Sequence, residues 1–154
     1  ALPICSGPDY FTNNKFFRAN SLGESSDLVV SKKKAMDNAR AELAAAIQST
    51  VKTVTDNYVN SREFNNKEDL EERFEQLNRT IVDQTLSGIK MICEKQVQTE
   101  KGGYRTYVAI ELSASDIVQQ YTENLSKDQK LKIDYDYEKF KETFDKEMEK
   151  MSNK

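Results

Sequence analysis

Ser31–Tyr58, SKKKAMDNARAELAAAIQSTVKTVTDNY, decides the fold: Ala35, Ala39, Leu43, Ile47, Val51, Val54 and Tyr58 recur in it at three- and four-residue steps. That spacing lays one apolar stripe along a long helix and leaves Lys32, Lys33, Lys34, Arg40 and Glu42 in water. Alanines in the stripe let a neighbouring backbone approach closely. The stretch organises a fold and carries no chemistry of its own.

The residues just before it supply something to approach. From Lys15 to Ser25 the alternation Phe17, Ala19, Ser21, Gly23 predicts a strand with small residues on one face, suited to an alanine-faced helix. Ser25, Ser26 and Asp27 then offer a helix cap. Both prolines, Pro3 and Pro8, flank Gly7 in the first ten residues, so residues 1–14 are expected as an extended N-terminal arm, which also carries Cys5.

Downstream, residues 60–66 read as a connector, and Asn66 can cap a second helix whose early acids Glu68, Asp69, Glu71 and Glu72 suit its positive end. Its stripe is Leu70, Phe74, Leu77, Ile81, and Ser87-Gly88 supplies a stop through a left-handed glycine. A β-hairpin follows. Ile89, Met91, Cys93 and Val97 are expected on one face of its first strand, Tyr104, Thr106, Val108, Ile110 and Leu112 form the second, and Lys101-Gly102-Gly103 makes the turn. Ser113 with Asp116 resembles a capping box that opens a helix carrying Ile117, Val118, Tyr121 and Leu125.

Residues 126–132 are a polar break. The last helix, from Asp134, repeats Tyr137, Phe140, Phe144, Met148 and Met151. Such a stripe can meet a partner helix, a membrane surface or its own domain; packing on its own domain is the main expectation, because Glu138, Glu142, Asp145, Glu147 and Glu149 cancel the lysines that would seek anionic lipid. The fold class is therefore α+β: a small, mainly antiparallel three-stranded sheet packed by a long helix hairpin, in the order β-α-α-β-β-α plus a C-terminal helix. The expected division is the arm over 1–14, a single domain over 15–132, and the appended helix over 133–154.

Composition narrows the function. Positive and negative residues are interspersed at a net charge of −3, which does not suggest a nucleic-acid partner. No stretch reaches the roughly 18 consecutive apolar residues of a membrane span, and the start lacks a basic segment followed by an apolar one, so any export signal is expected to have been removed. Histidine is absent, which excludes an imidazole general base, a Ser–His–acid triad and imidazole-dependent metal sites. No cofactor is expected, and the chain reads as non-enzymatic.

Cys5 and Cys93, the only thiols, are too far apart in sequence for a zinc motif or a C-x-x-C redox pair. Either they form a disulfide that ties the arm to the domain, or they are two unconnected thiols. A lipid anchor on Cys5 fits less well, since a lipidated cysteine follows a small residue and Ile4 stands there. Tyr104, Arg105 and Tyr107 beside the Gly-Gly turn make either a ligand patch for a glycan or peptide or a set of cross-strand packing residues. Glu94 and Glu111 are the only carboxylate pair to nominate for a glycosidase, expected on faces opposite the apolar ones. The sequons Asn78-Arg79-Thr80 and Asn124-Leu125-Ser126 fall in or beside helices and read as chance matches.

Phe17-Arg18-Ala19 through Gly23, Ser31-Lys32-Lys33-Lys34-Ala35 and Ala39-Arg40-Ala41-Glu42-Leu43-Ala44 together form a pattern that resembles the Lpp-twenty lipoprotein family of bacterial envelope proteins. Ile92-Cys93-Glu94-Lys95, Tyr104-Arg105-Thr106-Tyr107-Val108-Ala109 and Cys5-Ser6-Gly7 extend the likeness over roughly residues 5–112. The resemblance implies a bacterial, extracytoplasmic α+β domain in the periplasm or outer envelope, similar to the amino-terminal domain of certain flagellum-associated proteins. It implies no enzyme activity and no ligand. The partner it suggests is another envelope protein, with homo-oligomerisation open.

Overall fold

A computed structural model describes residues 4–61, 66–128 and 135–152. Strand β1 (Phe16–Ser25) leads into α1 (Leu28–Asn60) and α2 (Lys67–Thr85); β2 (Lys90–Gln98) and β3 (Tyr104–Ser113) form the hairpin; α3 (Ala114–Lys127) and α4 (Tyr137–Ser152) follow. The sheet is three-stranded and antiparallel in the order β1-β3-β2, so the fold is α+β as the sequence predicts. Parts of the expected connector (62–65) and polar break (129–132), and Asp134, lie outside the described residues.

The small-residue face of β1 works as its pattern suggests. Phe17, Ala19 and Gly23 are buried, and α1 comes so close at Gly23 that a Cβ there would lie 2.5–2.6 Å from Ala35 N, Lys34 Cβ and Ser31 O. Only glycine permits that approach. Ser31 and Thr106 exchange a buried hydroxyl hydrogen bond at 2.7 Å, which fixes the face of β3 that looks at α1. Asp27 caps α1, its Oδ1 accepting from the Val30 amide at 3.0 Å.

Of the helix hairpin, only α1 lies across the sheet. Its 33 residues span about 50 Å, and its later turns meet helices instead. Tyr58 packs edge-on against Phe74 of α2 and Phe140 of α4, and Tyr121 of α3 stacks at a tilt on Phe140. The α4 stripe is inside: Phe140, Phe144 and Met148 are buried and Met151 packs against the same core.

Several local expectations are corrected. The arm is not extended throughout, because Gly7 adopts φ 102 and Pro8–Tyr10 coil into a 3-10 turn, for which the proline ring is already set. Gly88 is not left-handed; α2 ends instead through a 3-10 turn at Leu86–Gly88. Asn66 and Ser113 make no side-chain cap bond, and the Ser113 hydroxyl pairs with that of Ser115. Met91 and Cys93 do not share a face. A bulge between them sets Met91 opposite Ile110 and Cys93 opposite Ala109, residues that point to opposite sides of β3.

Candidate functional site

The sheet face away from α1 carries Arg18 of β1, Tyr107, Ala109 and Glu111 of β3, and, because of the bulge, Cys93 of β2. The arm crosses this face. Cys5 and Cys93 are joined by a disulfide with Cα atoms 5.6 Å apart, closing a separation of 88 residues. Cys5 is 5% exposed, and Ala109, a small residue under the arm, is fully covered. In the chain-entropy view a loop of that length makes the bond worth about 4–5 kcal/mol.

Arg18 latches the other end of the arm. Its Nε donates to Glu111 Oε2 at 3.0 Å, its Nη1 donates to the Phe11 carbonyl at 3.2 Å, and its own amide donates to Thr12 Oγ1 at 2.9 Å. The guanidinium also sits 5.0 Å over the Phe16 ring. Both partners of the ion pair are 16% exposed, a degree of shelter at which geometry counts for more than in open water. Cys5 itself adopts φ 54, a left-handed conformation that non-glycine residues adopt at some cost.

The three residues of the sequence patch divide between the two faces. Arg105 and Tyr107 lie together on the arm side, where Arg105 Nη1 donates to Tyr107 Oη at 3.2 Å and Nε pairs with Glu24. The bonds to Tyr107 and then to Glu24 raise the guanidinium pKa above its ordinary value. Tyr104 shares the helix side with Thr106 and Val108. A depression of about 530 Å³ lies by the hairpin turn, walled by Glu24, Val97, Lys101 and Arg105, and neither tyrosine lines it.

The nominated carboxylates do not face each other. Glu94 opposes Val108 on the helix side, whereas Glu111 opposes Arg18 and Lys90 on the arm side. The expectation that both lie opposite the apolar face fails because the bulge shifts β2 by one residue after Met91. Of the sequons, Asn78 is buried at 6% and spent on structure: its Nδ2 donates to Thr55 Oγ1 at 3.0 Å and its Oδ1 accepts from Tyr121. Asn124 Nδ2 donates to the Gln120 carbonyl at 2.7 Å within α3.

Among the clefts that sequence reasoning missed is one of about 710 Å³, where the start of β1 meets α3 and α4. Phe16, Val118, Tyr137 and Phe144 line it together with Lys15 and Lys141. Its residues come from β1, β3, α3 and α4 and share no motif, so no spacing signals it. Among the described residues, no group of three or more His, Cys, Asp or Glu is placed to hold a metal ion, and no helix is long and apolar enough to cross a membrane. No family model and no curated protein matches this chain.

Proposed function

We propose that this chain is a non-catalytic domain of the bacterial cell envelope, extracytoplasmic and working through protein–protein contacts, as its resemblance to the Lpp-twenty pattern implies. The observation that carries the reading is the Cys5–Cys93 disulfide, because such bonds persist in oxidising compartments and are rare in the cytosol. The bond also bears on anchoring. A sulfur engaged in a disulfide cannot carry a thioether-linked lipid, so this form of the chain is not held to a membrane through Cys5.

The charge pattern suits a contact role, since acids and bases are interspersed and the sheet arginines Arg18 and Arg105 are paired within the fold. The test is the intact mass of protein taken from its own cells, alkylated with and without prior reduction. The expected result is two thiols that react only after reduction. Two thiols that alkylate freely before reduction overturn the assignment.

A further inference from the structure

The two edges of the sheet are finished differently. Along β1 most of the outward groups are engaged: the Phe16 amide donates to Asn13 Oδ1 at 2.9 Å and the Arg18 amide to Thr12 Oγ1 at 2.9 Å. Further along, the Leu22 carbonyl accepts from Asn38 Nδ2 at 2.9 Å and the Glu24 carbonyl from Lys34 Nζ at 3.2 Å. An edge engaged in this way is a poor template for an added strand. Along β2, no hydrogen bond among the described residues reaches the outward backbone.

The hairpin turn fixes which groups those are. The Thr99 amide donates to the Gly103 carbonyl at 2.9 Å. Alternating back along the ladder, Val97, Lys95 and Cys93 bond to β3, whereas Gln98, Gln96 and Glu94 turn their amides and carbonyls away from it. The outward groups repeat about every 6.8 Å. The side chains of Glu94, Gln96 and Gln98 are exposed, so the edge is accessible.

We propose that this edge pairs with the same edge of a second copy, antiparallel about a two-fold axis at Gln96, joining two three-stranded sheets into one. A two-fold axis normal to the sheet keeps each residue on its own face and opposes outward residues to outward residues. Charge then selects the register. Centred on Glu94 or Lys95, the pairing sets that residue against its own copy; centred on Val97, it sets Glu94 against Glu100.

Centred on Gln96, Glu94 meets Gln98, Lys95 meets Val97, and Gln96 meets itself, so no like charges oppose and about six backbone hydrogen bonds form. The bulge between Met91 and Cys93 ends the ladder and confines the contact to residues 94–98. That self-compatible register is what favours a second copy over an unrelated strand. The proposal stands apart from the envelope assignment, which the thiol measurement tests separately.

Sedimentation of the purified, oxidised chain over a range of concentrations is expected to show a monomer–dimer equilibrium. Gln96→Pro removes an amide that faces away from β3, so it leaves the monomer's ladder intact; it is expected to weaken the dimer on the order of tenfold or more. Gln96→Lys, at an exposed position, places like charges at the axis and weakens the dimer by a few-fold. Gln96→Cys brings two thiols to Cα atoms about 5.5 Å apart, within disulfide range, and gives a linked dimer on mild oxidation, whereas Lys95→Cys does not. A chain that stays monomeric throughout, a dimer indifferent to both Gln96→Pro and Gln96→Lys, or equal cross-linking at position 95 overturns the proposal.

Discussion

The first turns of α1 meet a sheet and its later turns meet helices, and the side chains in the seam differ accordingly. Ser31 and Ala35 lie against Gly23, with Ser31 also on Thr106, so the spacing there is set by an absent Cβ. Farther along, Tyr58 fills the space between Phe74 and Phe140, Thr50 donates to Met151 Sδ at 3.3 Å, and Thr55 accepts from Asn78. One helix thus packs by subtraction at one end and by filling at the other. The sheet end should tolerate no added atoms and the helical end no removed ones.

The largest effect is expected at the filled end. Phe140 is fully buried and touches Tyr58, Tyr121 and Tyr135, so Phe140→Ala leaves a cavity where three rings converge. The expected loss is about 3–5 kcal/mol, read from the midpoint of urea unfolding. A loss under about 1 kcal/mol would mean that α4 is peripheral to the core. At the sheet end the reciprocal change is Gly23→Ala, which adds one methyl within 2.5–2.6 Å of atoms of α1 that include backbone. Backbone atoms cannot rotate away, and the expected cost is about 2–3 kcal/mol. Silence at Gly23 would break the contrast, because the close approach would then not set the seam.

These two ends were not equally legible in the sequence. The sheet end was written in a strict alternation, Phe17, Ala19, Ser21, Gly23, and in alanines at helical steps, so its faces could be read before any contact was known. At the helical end the stripes of α2, α3 and α4 were legible one by one, yet which stripe met which was not, since periodicity carries no information about partners. The arm side of the sheet was hardest. A single extra residue between Met91 and Cys93 reverses the faces of β2, which carries Cys93 to the arm side and parts Glu94 from Glu111; no composition or spacing announces a bulge. The Cys5–Cys93 bond was one of two open readings, because pairing requires knowing where the arm runs. The cleft by Phe16 and Tyr137 had no signal at all.

The smallest effect expected belongs to the polar group enclosed at the filled end. Tyr121 is fully buried and donates to Asn78 Oδ1, while Asn78 Nδ2 donates to Thr55 Oγ1, whose hydroxyl donates to the Val51 carbonyl at 3.0 Å. Tyr121→Phe keeps the ring and leaves the Asn78 oxygen without its donor, at an expected cost of about 1–2 kcal/mol near neutral pH. Burial also pushes the Tyr121 hydroxyl well above the ordinary tyrosine range. The stability tied to the neutral phenol is therefore fully present below the unfolded-state pKa of about 10 and is lost as pH rises beyond it, because the unfolded chain ionises first. Phenylalanine has no proton to lose. Urea unfolding at pH 9 and pH 11 should show the deficit of Tyr121→Phe shrinking by about 1.4 kcal/mol over that interval. A deficit unchanged between the two pH values would mean that the phenol reaches water in the folded state, and the helical end would then be less filled than its ring packing indicates.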